Sequence, residues 1–128
     1  MKQYTENQLS KIIFECALEV HRTLGPGLPE SVYQKCLKYE LEKAGIQVEN
    51  EKELPVSYKE LTISEGYRIG LLVADKVIVE VKSVRELSDI HMSQLLTYLK
   101  LSNCKLGLLI NFNVLLIKEG IKRVVNNL

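Results

Sequence analysis

Residues 67–82 read YRIGLLVADKVIVEVK, and this stretch decides the fold. Two apolar runs rich in β-branched and aromatic residues, 67–73 and 76–84, have a turn signal between them. Such runs are typical of neighbouring β-strands, and their short separation indicates an antiparallel hairpin. We expect this hairpin to belong to a β-rich middle segment of the chain.

The register of the hairpin determines which residue lies opposite Glu80. With a three-residue loop over residues 74–76, Gly70 faces Glu80, whereas a two-residue turn at Ala74-Asp75 pairs Gly70 with Val79. We predict the three-residue loop or an equivalent bulge. Gly70 and Glu80 would then be direct neighbours across the two strands.

The second strand of the hairpin carries Glu80 and Lys82 among apolar residues. Side chains alternate across a strand, so both charges share the face of Ile78 while three valines take the other face. Two charged groups in an apolar strand are costly unless a function needs them. The carboxylate suits a divalent cation, and the lysine could position a water or stabilise charge on a phosphate. The simpler alternative is an exposed charge pair on a sheet edge.

Apolar periodicity divides the rest of the chain into helices and strands. Residues 6–24 form one amphipathic helix, a second helix starts at Pro29 and ends near Ala44-Gly45, and a third follows the N-cap Ser88. Further strands are predicted over residues 46–49, 54–58, 105–112, 114–117 and 121–125. This order predicts an α/β fold with an α+β-like order of elements, in which helices flank a mixed central β-sheet.

Length and composition favour a single domain over residues 1–128, because no repeat, low-complexity tract or linker divides the chain. The formal net charge of +1 excludes a strongly cationic surface for nucleic acid, although a local basic patch is compatible with it. No apolar run approaches the roughly 20 residues that cross a bilayer, so no membrane partner is expected. The polar residues 1–11 contain no signal-peptide core, which predicts a cytoplasmic protein.

The sequence lacks the commonest catalytic templates. It has no GxxxxGK[ST] or GxGxxG loop, no HExxH or GxSxG motif, and no Cys/His spacing for zinc. Cys16 and Cys36 lie on predicted apolar helix faces and Cys104 pairs with neither in a CxxC motif, so buried reduced thiols are expected. This absence removes the commonest nucleotide-binding, zinc and acyl-transfer functions.

Two further groups of polar residues accompany predicted core faces. Glu30 lies in the first turn of the second helix, one turn before Tyr33, where the helix dipole alone would favour a negative charge. His91, Gln94 and Tyr98 follow spacings of three and four and form a polar row beside the apolar stripe of the third helix. A half-exposed helix flank is the simpler explanation of that row.

Taken in order, these segments resemble one known family, the GxxExxY branch of the PD-(D/E)xK nuclease-like superfamily. The defining positions of its signature correspond to Gly27, Glu30 and Tyr33. The similarity extends from about Leu9 to Val125 and rests on several separated motifs. These are His21-Arg22, the segment 24–27, Tyr67-Arg68, the strand 71–73, Glu80-Val81-Lys82, the helical stretch 94–100 and the strand 107–112.

The resemblance implies a restriction-endonuclease-like core that supports Mg²⁺- or Mn²⁺-dependent cleavage of phosphodiesters in DNA or RNA. It implies that Glu30 is an acidic residue delivered by a helix and that Glu80 is a metal ligand. Lys82 becomes the catalytic lysine, and Gln94 becomes a supporting residue from the following helix. The same four residues are the polar groups that accompany apolar faces in the sequence.

The chain departs from the family pattern at Gly70. The family places an aspartate there, in an Arg-x-Asp sequence, as the principal metal ligand, whereas residues 68–70 read RIG. Asp75 lies in the predicted turn and Glu65 lies before the strand, so neither is a convincing substitute. A cation left with the two glutamates and a backbone carbonyl should bind weakly.

Three explanations of Gly70 follow from the sequence. The protein is a pseudo-nuclease that keeps the fold and binds something, a weakened nuclease whose metal is completed by water or substrate, or a normal enzyme with an introduced or accidental change. The leading function is a nuclease-like protein with impaired catalysis. The alternative is a non-catalytic module that binds nucleic acid or protein on the same fold.

Overall fold

The structure, a computed structural model, describes residues 3–128. Within this range the strands form one sheet in the order β1-β2-β3-β4-β5, in which β3 and β4 are parallel and the other neighbours are antiparallel. The predicted α/β architecture with a mixed sheet is therefore confirmed. The elements are α1 (Glu6–Leu24), α2 (Glu30–Lys43), β1 (Val48–Tyr58), β2 (Leu61–Val73), β3 (Val77–Lys82), α3 (Asp89–Ser102), β4 (Leu106–Asn111), a 3-10 helix (Ile117–Gly120) and β5 (Ile121–Val125).

Helices cover both faces of the sheet. The apolar stripes of α1 and α2 pack on one face, against the valines of β3 and the inward side chains of β4. Leu95 and Leu99 of α3 pack on the other face, against Ile78 and Leu109. β3 and β4 are thus covered on both sides, which explains why their sequences are nearly continuous apolar runs. The helix α3 is the crossover that joins these two parallel strands.

The first helix begins and ends where the sequence predicts. Thr5 and Gln8 form a capping box at its start, and Gly25, with φ of 72°, ends it. The second helix begins one residue later than predicted. Pro29 has an extended ψ of 153° and is the N-cap, so the expectation that it occupies the first helical position is wrong. Because Pro29 has this non-helical ψ, the first helical residue is Glu30.

The first strand is longer than the sequence indicates. The separate strands predicted over residues 46–49 and 54–58 form one strand, β1, and β2 begins at Leu61 instead of residue 67. Most side chains in the residues that lengthen β1 and β2 are exposed. The reason is that β1 is an edge strand and no helix covers the end of the sheet where β1 turns into β2. Apolar periodicity cannot detect such a strand. The register shifts between Leu54 and Val56, at Pro55, which has no N–H to donate.

The strand predicted over residues 114–117 is wrong. The chain instead forms bends and then a 3-10 helix in which Ile117 is buried, while Leu115 is 86% exposed. Both edges of β4 already pair with β3 and β5, so no edge is left for another strand beside it. The flanking predictions are confirmed, since β4 lies within residues 105–112 and β5 spans Ile121–Val125.

The β2–β3 hairpin has the predicted register. Val73 pairs with Val77 and Leu71 pairs with Val79, so residues 74–76 form a three-residue loop. Ala74 and Asp75 adopt left-handed φ values of 52° and 57° within it. One step beyond the last ladder pair, Gly70 lies opposite Glu80.

Tyr33 ties the loop before α2 to the core. Its ring is fully buried and stacks on Phe112 with ring centroids 4.5 Å apart. Its hydroxyl donates to the carbonyl of Gly25 at 2.6 Å and accepts from the N–H of Leu28 at 3.0 Å. One side chain thereby satisfies two backbone groups of the loop that leads into Glu30.

Replacing Tyr33 with phenylalanine should lower the free energy of unfolding by about 1–3 kcal/mol, because two backbone groups lose their partner while the stacked ring stays. Urea unfolding measures the change. The matched control is Tyr39→Phe on the same helix, where the side chain is 62% exposed and little change is expected. Equal stability of the Tyr33 variant and the wild type would show that the loop does not depend on this hydroxyl.

Candidate active site

Glu80 is a partly buried carboxylate at the point where β2 and β3 separate. The ladder ends at Leu71 and Val79, and beyond it the Gly70 N–H donates to Glu80 Oε2 at 2.7 Å. Burial raises the pKa of Glu80, while the Gly70 N–H and the nearby Lys82 ammonium oppose this shift and Glu51 and Glu30 add to it. The carboxylate is therefore held in an environment that disfavours its charge, with one backbone donor aimed at it.

Lys82 is also partly buried, so the two charges of β3 are not a fully exposed surface pair. Both lie on the α3 side of the sheet. Burial raises the pKa of Tyr98 on α3, and the Glu80 carboxylate raises it further, which places Glu80 near that helix. The predicted separation of the faces is also observed, because Ile78 packs with α3 and the three valines of β3 pack with α1 and α2.

Glu30 reaches the end of β3 from the first turn of α2. Its Oε2 accepts from the N–H of Ser83 at 3.2 Å, and the Ser83 hydroxyl donates to the carbonyl of Leu28 at 2.6 Å. These two bonds fasten the start of α2 to the residue that follows Lys82. The structure thus brings Glu30 to the same end of the sheet as Glu80 and Lys82, although the whole of β1 and β2 separates them in sequence.

Gly70 packs closely against Glu80 and Gln34. An ideal Cβ placed on Gly70 would lie 3.4 Å from Glu80 Oε2, 3.1 Å from the carbonyl oxygen of Val79 and 2.9 Å from Gln34 Oε1. The φ of Gly70 lies outside the left-handed region, so its backbone does not require glycine. A side chain at this position would therefore point between Glu80 and Gln34.

Gln94 is exposed on α3, and in the described part of the chain no hydrogen bond joins it to Glu80 or Lys82. Its neighbours in the predicted polar row have other contacts. The N–H of Ser88 donates to His91 Nδ1 at 3.1 Å, so His91 helps to cap the helix. The ring of Tyr98 packs at 4.9 Å from that of Tyr67. The supporting role of Gln94 stays a prediction.

Three residues near the site were not found by sequence reasoning. Glu51 is opposite Gly70 by the β1–β2 register and has φ of 50°, a local irregularity that no apolar pattern signals. Gln34 lies one turn after Glu30, a spacing that could have drawn attention to it. Asn111 is buried and fixes the chain after β3. Its Oδ1 accepts from the N–H of Val84 at 3.1 Å, and its Nδ2 donates to the carbonyl of Val84 at 2.9 Å.

The side chains around Gly70 suit a hard cation. They are carboxylate and amide oxygens, the ligands that Mg²⁺ and Mn²⁺ prefer, and two of them lie close to the position of a Gly70 Cβ. Among residues 3–128, no group of three or more His, Cys, Asp or Glu side chains is arranged to hold a metal ion. Carboxylates alone therefore do not complete a site here.

The cysteines have the expected buried character. Cys16 and Cys104 are buried, Cys36 is partly buried, and all three are free thiols. Burial raises the pKa of Cys16 to about 11, so it is protonated at neutral pH and a poor nucleophile.

Within residues 3–128, no helix is both long and apolar enough to span a membrane.

The five-stranded mixed sheet with helices on both faces is consistent with an α/β fold of the restriction-endonuclease type. A family model described as the PD-(D/E)XK nuclease superfamily matches residues 7–124. The chain belongs to this superfamily. Comparisons with curated protein sequences and with solved structures gave no significant match.

Replacing Glu80 with glutamine should stabilise the protein at pH 7. A carboxyl whose pKa is raised by folding binds more protons in the folded state, so stability falls as pH rises from the ordinary glutamate value, about 4.3, through the raised one. The neutral amide avoids this cost and can still accept from the Gly70 N–H. Urea unfolding between pH 3 and pH 8 should show an advantage of Glu80→Gln that shrinks towards acid pH.

The exposed Glu86 provides the control, since Glu86→Gln should change stability little at any of these pH values. A Glu80→Gln protein that is less stable than the wild type at pH 7 would show that the ionised carboxylate is stabilising as it stands.

Proposed function

We propose that the chain is a nuclease-like protein of the GxxExxY branch, a single domain over residues 1–128 that acts on DNA or RNA phosphodiesters. Its Mg²⁺- or Mn²⁺-dependent cleavage is impaired because Gly70 stands where a carboxylate ligand is expected. A cytoplasmic location belongs to the same proposal. The observation that carries it is the position of Gly70, directly opposite Glu80 and with its missing side chain aimed at that carboxylate.

Each polar residue of the site has a distinct role in this proposal. Glu80 and Glu30 would hold the cation, which when bound activates water and neutralises charge on the phosphate. Lys82, partly buried beside Glu80, stabilises negative charge that develops on the phosphate or orients the attacking water. Gln94 supports the substrate or water from the exposed side of α3.

An aspartate fits at position 70 with small adjustments. The closest atom, Gln34 Oε1, is the end of a flexible side chain and can move away. The carbonyl oxygen of Val79, 3.1 Å from the ideal Cβ, must give by a few tenths of an ångström. The non-left-handed φ makes the backbone compatible with any L-residue. Introducing a carboxylate here is therefore a local change at the site.

The unsubstituted protein should show little or no Mg²⁺-dependent cleavage, and Gly70→Asp should raise cleavage by roughly a hundredfold or more, because a central ligand also aligns the reacting groups. Assays with plasmid and single-stranded substrates in Mg²⁺, Mn²⁺ and EDTA measure this. The matched control is Gly70→Ala, which adds the Cβ without an oxygen and should stay inactive.

Efficient Mg²⁺-dependent cleavage by the unsubstituted protein would contradict the role given to Gly70. If Gly70→Asp gains cation binding but cleaves no substrate, a non-catalytic binding module becomes the better account. The absence of a three-acid cluster in residues 3–128 is the observation that favours this second function.

The sequence offers Lys82, Arg85, Lys100 and Lys105 as a local group that could contact nucleic acid, but these four residues do not form one patch. Lys82 and Arg85 lie at the end of the sheet that carries the site, whereas Lys105 precedes the opposite end of β4. Lys100 lies in the last turn of α3, which leads to that same far end. The two ends are roughly 17 Å apart, at about 3.3 Å per strand residue. Only Lys82 and Arg85 are placed to contact a phosphate at the site.

Nucleic-acid binding should therefore be weak and salt-sensitive, with a slope of log K against log salt of about −1.5 to −2 for two phosphate contacts. Arg85→Ala should reduce the magnitude of this slope by about one, and Lys105→Ala should leave it unchanged. Fluorescence anisotropy across a salt series tests both. Affinity that persists at high salt would point to base stacking instead.

A further inference from the structure

The Gln34 side chain lies against Gly70. It follows Glu30 by four residues on α2, so the two side chains emerge from the same face of the helix. Its Oε1 is 2.9 Å from the position that a Cβ at residue 70 would occupy, and Glu80 Oε2 is 3.4 Å from the same point. Two side-chain oxygens from two different elements, α2 and β3, thus lie close to the same point beside Gly70.

The Gln34 amide has no other partner in the described part of the chain. No hydrogen bond engages its side chain within residues 3–128, although it is partly buried. Within residues 3–128, the Tyr67 hydroxyl is the side-chain group that is both fully buried and without a hydrogen-bond partner, so water reaches the Gln34 amide. Its Oε1 lies against the position where a side chain at residue 70 would begin, and it is free to bind a ligand there.

The chemistry of the oxygens points to a cation. An amide carbonyl oxygen is a recognised ligand of hard divalent cations, together with carboxylates and water. The site lacks a group of three acids, so a neutral oxygen is what the neighbouring carboxylates need. Substituting an amide for a carboxylate removes one negative charge, which lowers affinity without abolishing the ligand set.

We propose that Gln34 supplies the cation-binding oxygen that Gly70 lacks. This inference rests on the proposed function, because the cation is the one that the nuclease-like site would hold. Since the two side chains would occupy the same space, residue 70 and Gln34 are alternative sources of one oxygen. Their effects on cation affinity should therefore depend on each other.

A double-mutant cycle with Mn²⁺ as the probe tests this dependence. Binding is measured by calorimetry and by the electron paramagnetic resonance signal of free Mn²⁺, without any substrate. In the unsubstituted background, Gln34→Ala should weaken Mn²⁺ binding by at least about tenfold. In the Gly70→Asp background the same change should alter binding less than about twofold. Gln34→Glu, which adds a charge at the same place, should tighten binding in the unsubstituted background.

Alanine is the best helix former, so Gln34→Ala should leave α2 folded, and circular dichroism with thermal unfolding checks this. The matched control is Gln47→Ala, an exposed glutamine outside the site, which should bind Mn²⁺ like the unsubstituted protein.

The outcomes separate this inference from the proposed function. If Gly70→Asp binds Mn²⁺ but the unsubstituted protein does not, the role of Gln34 is overturned and the proposed function stands. The same conclusion follows if Gly70→Asp binds Mn²⁺ and Gln34→Ala binds it as tightly as the unsubstituted protein. If Gln34→Ala changes thermal stability but not Mn²⁺ affinity, Gln34 is structural and the inference fails. If no variant binds Mn²⁺, including Gly70→Asp and Gln34→Glu, the proposed function itself fails.

Discussion

A carboxylate held within an apolar strand is the constraint around which this structure is arranged. Glu80 belongs to a strand whose other side chains, apart from Lys82, are valines and an isoleucine in the core, and burial opposes its ionisation. The β2–β3 ladder ends one residue before Glu80, and the Gly70 N–H donates to the Glu80 side chain at 2.7 Å. Lys82 adds a compensating charge on the same face. These arrangements reduce the cost of a charge that packing alone would exclude.

The loop before α2 connects this constraint to the rest of the fold. Tyr33 stacks on Phe112 and bonds two backbone groups of the loop, which fixes the direction in which α2 begins. The start of that helix then carries Glu30 to Ser83, at the end of the strand that contains Glu80. The buried tyrosine therefore helps to determine where an acidic side chain of the site is presented.

Much of this arrangement was predictable, because it follows from local apolar periodicity and from the odd number of residues in the hairpin loop. The bounds of α1 follow from its apolar stripe and its caps, and the facing of Gly70 and Glu80 follows from an odd loop length. The exposed middle of β1 was not predictable, because an edge strand with polar residues has no apolar alternation. The position of Gln34 depends on how α2 crosses the sheet, and that of Glu51 on a left-handed φ of 50°. Neither is encoded in a pattern of neighbouring residues.

The central claim is that residue 70 controls whether the site holds a cation at Glu80. The most direct measurement is the anomalous diffraction of Mn²⁺ in crystals of the unsubstituted and Gly70→Asp proteins, soaked at the same concentration. The account predicts a strong peak next to Glu80 in the substituted protein and a weaker one at the same place in the unsubstituted protein. Equal peaks in both crystals, or a peak remote from Glu80 in the substituted protein, would contradict it.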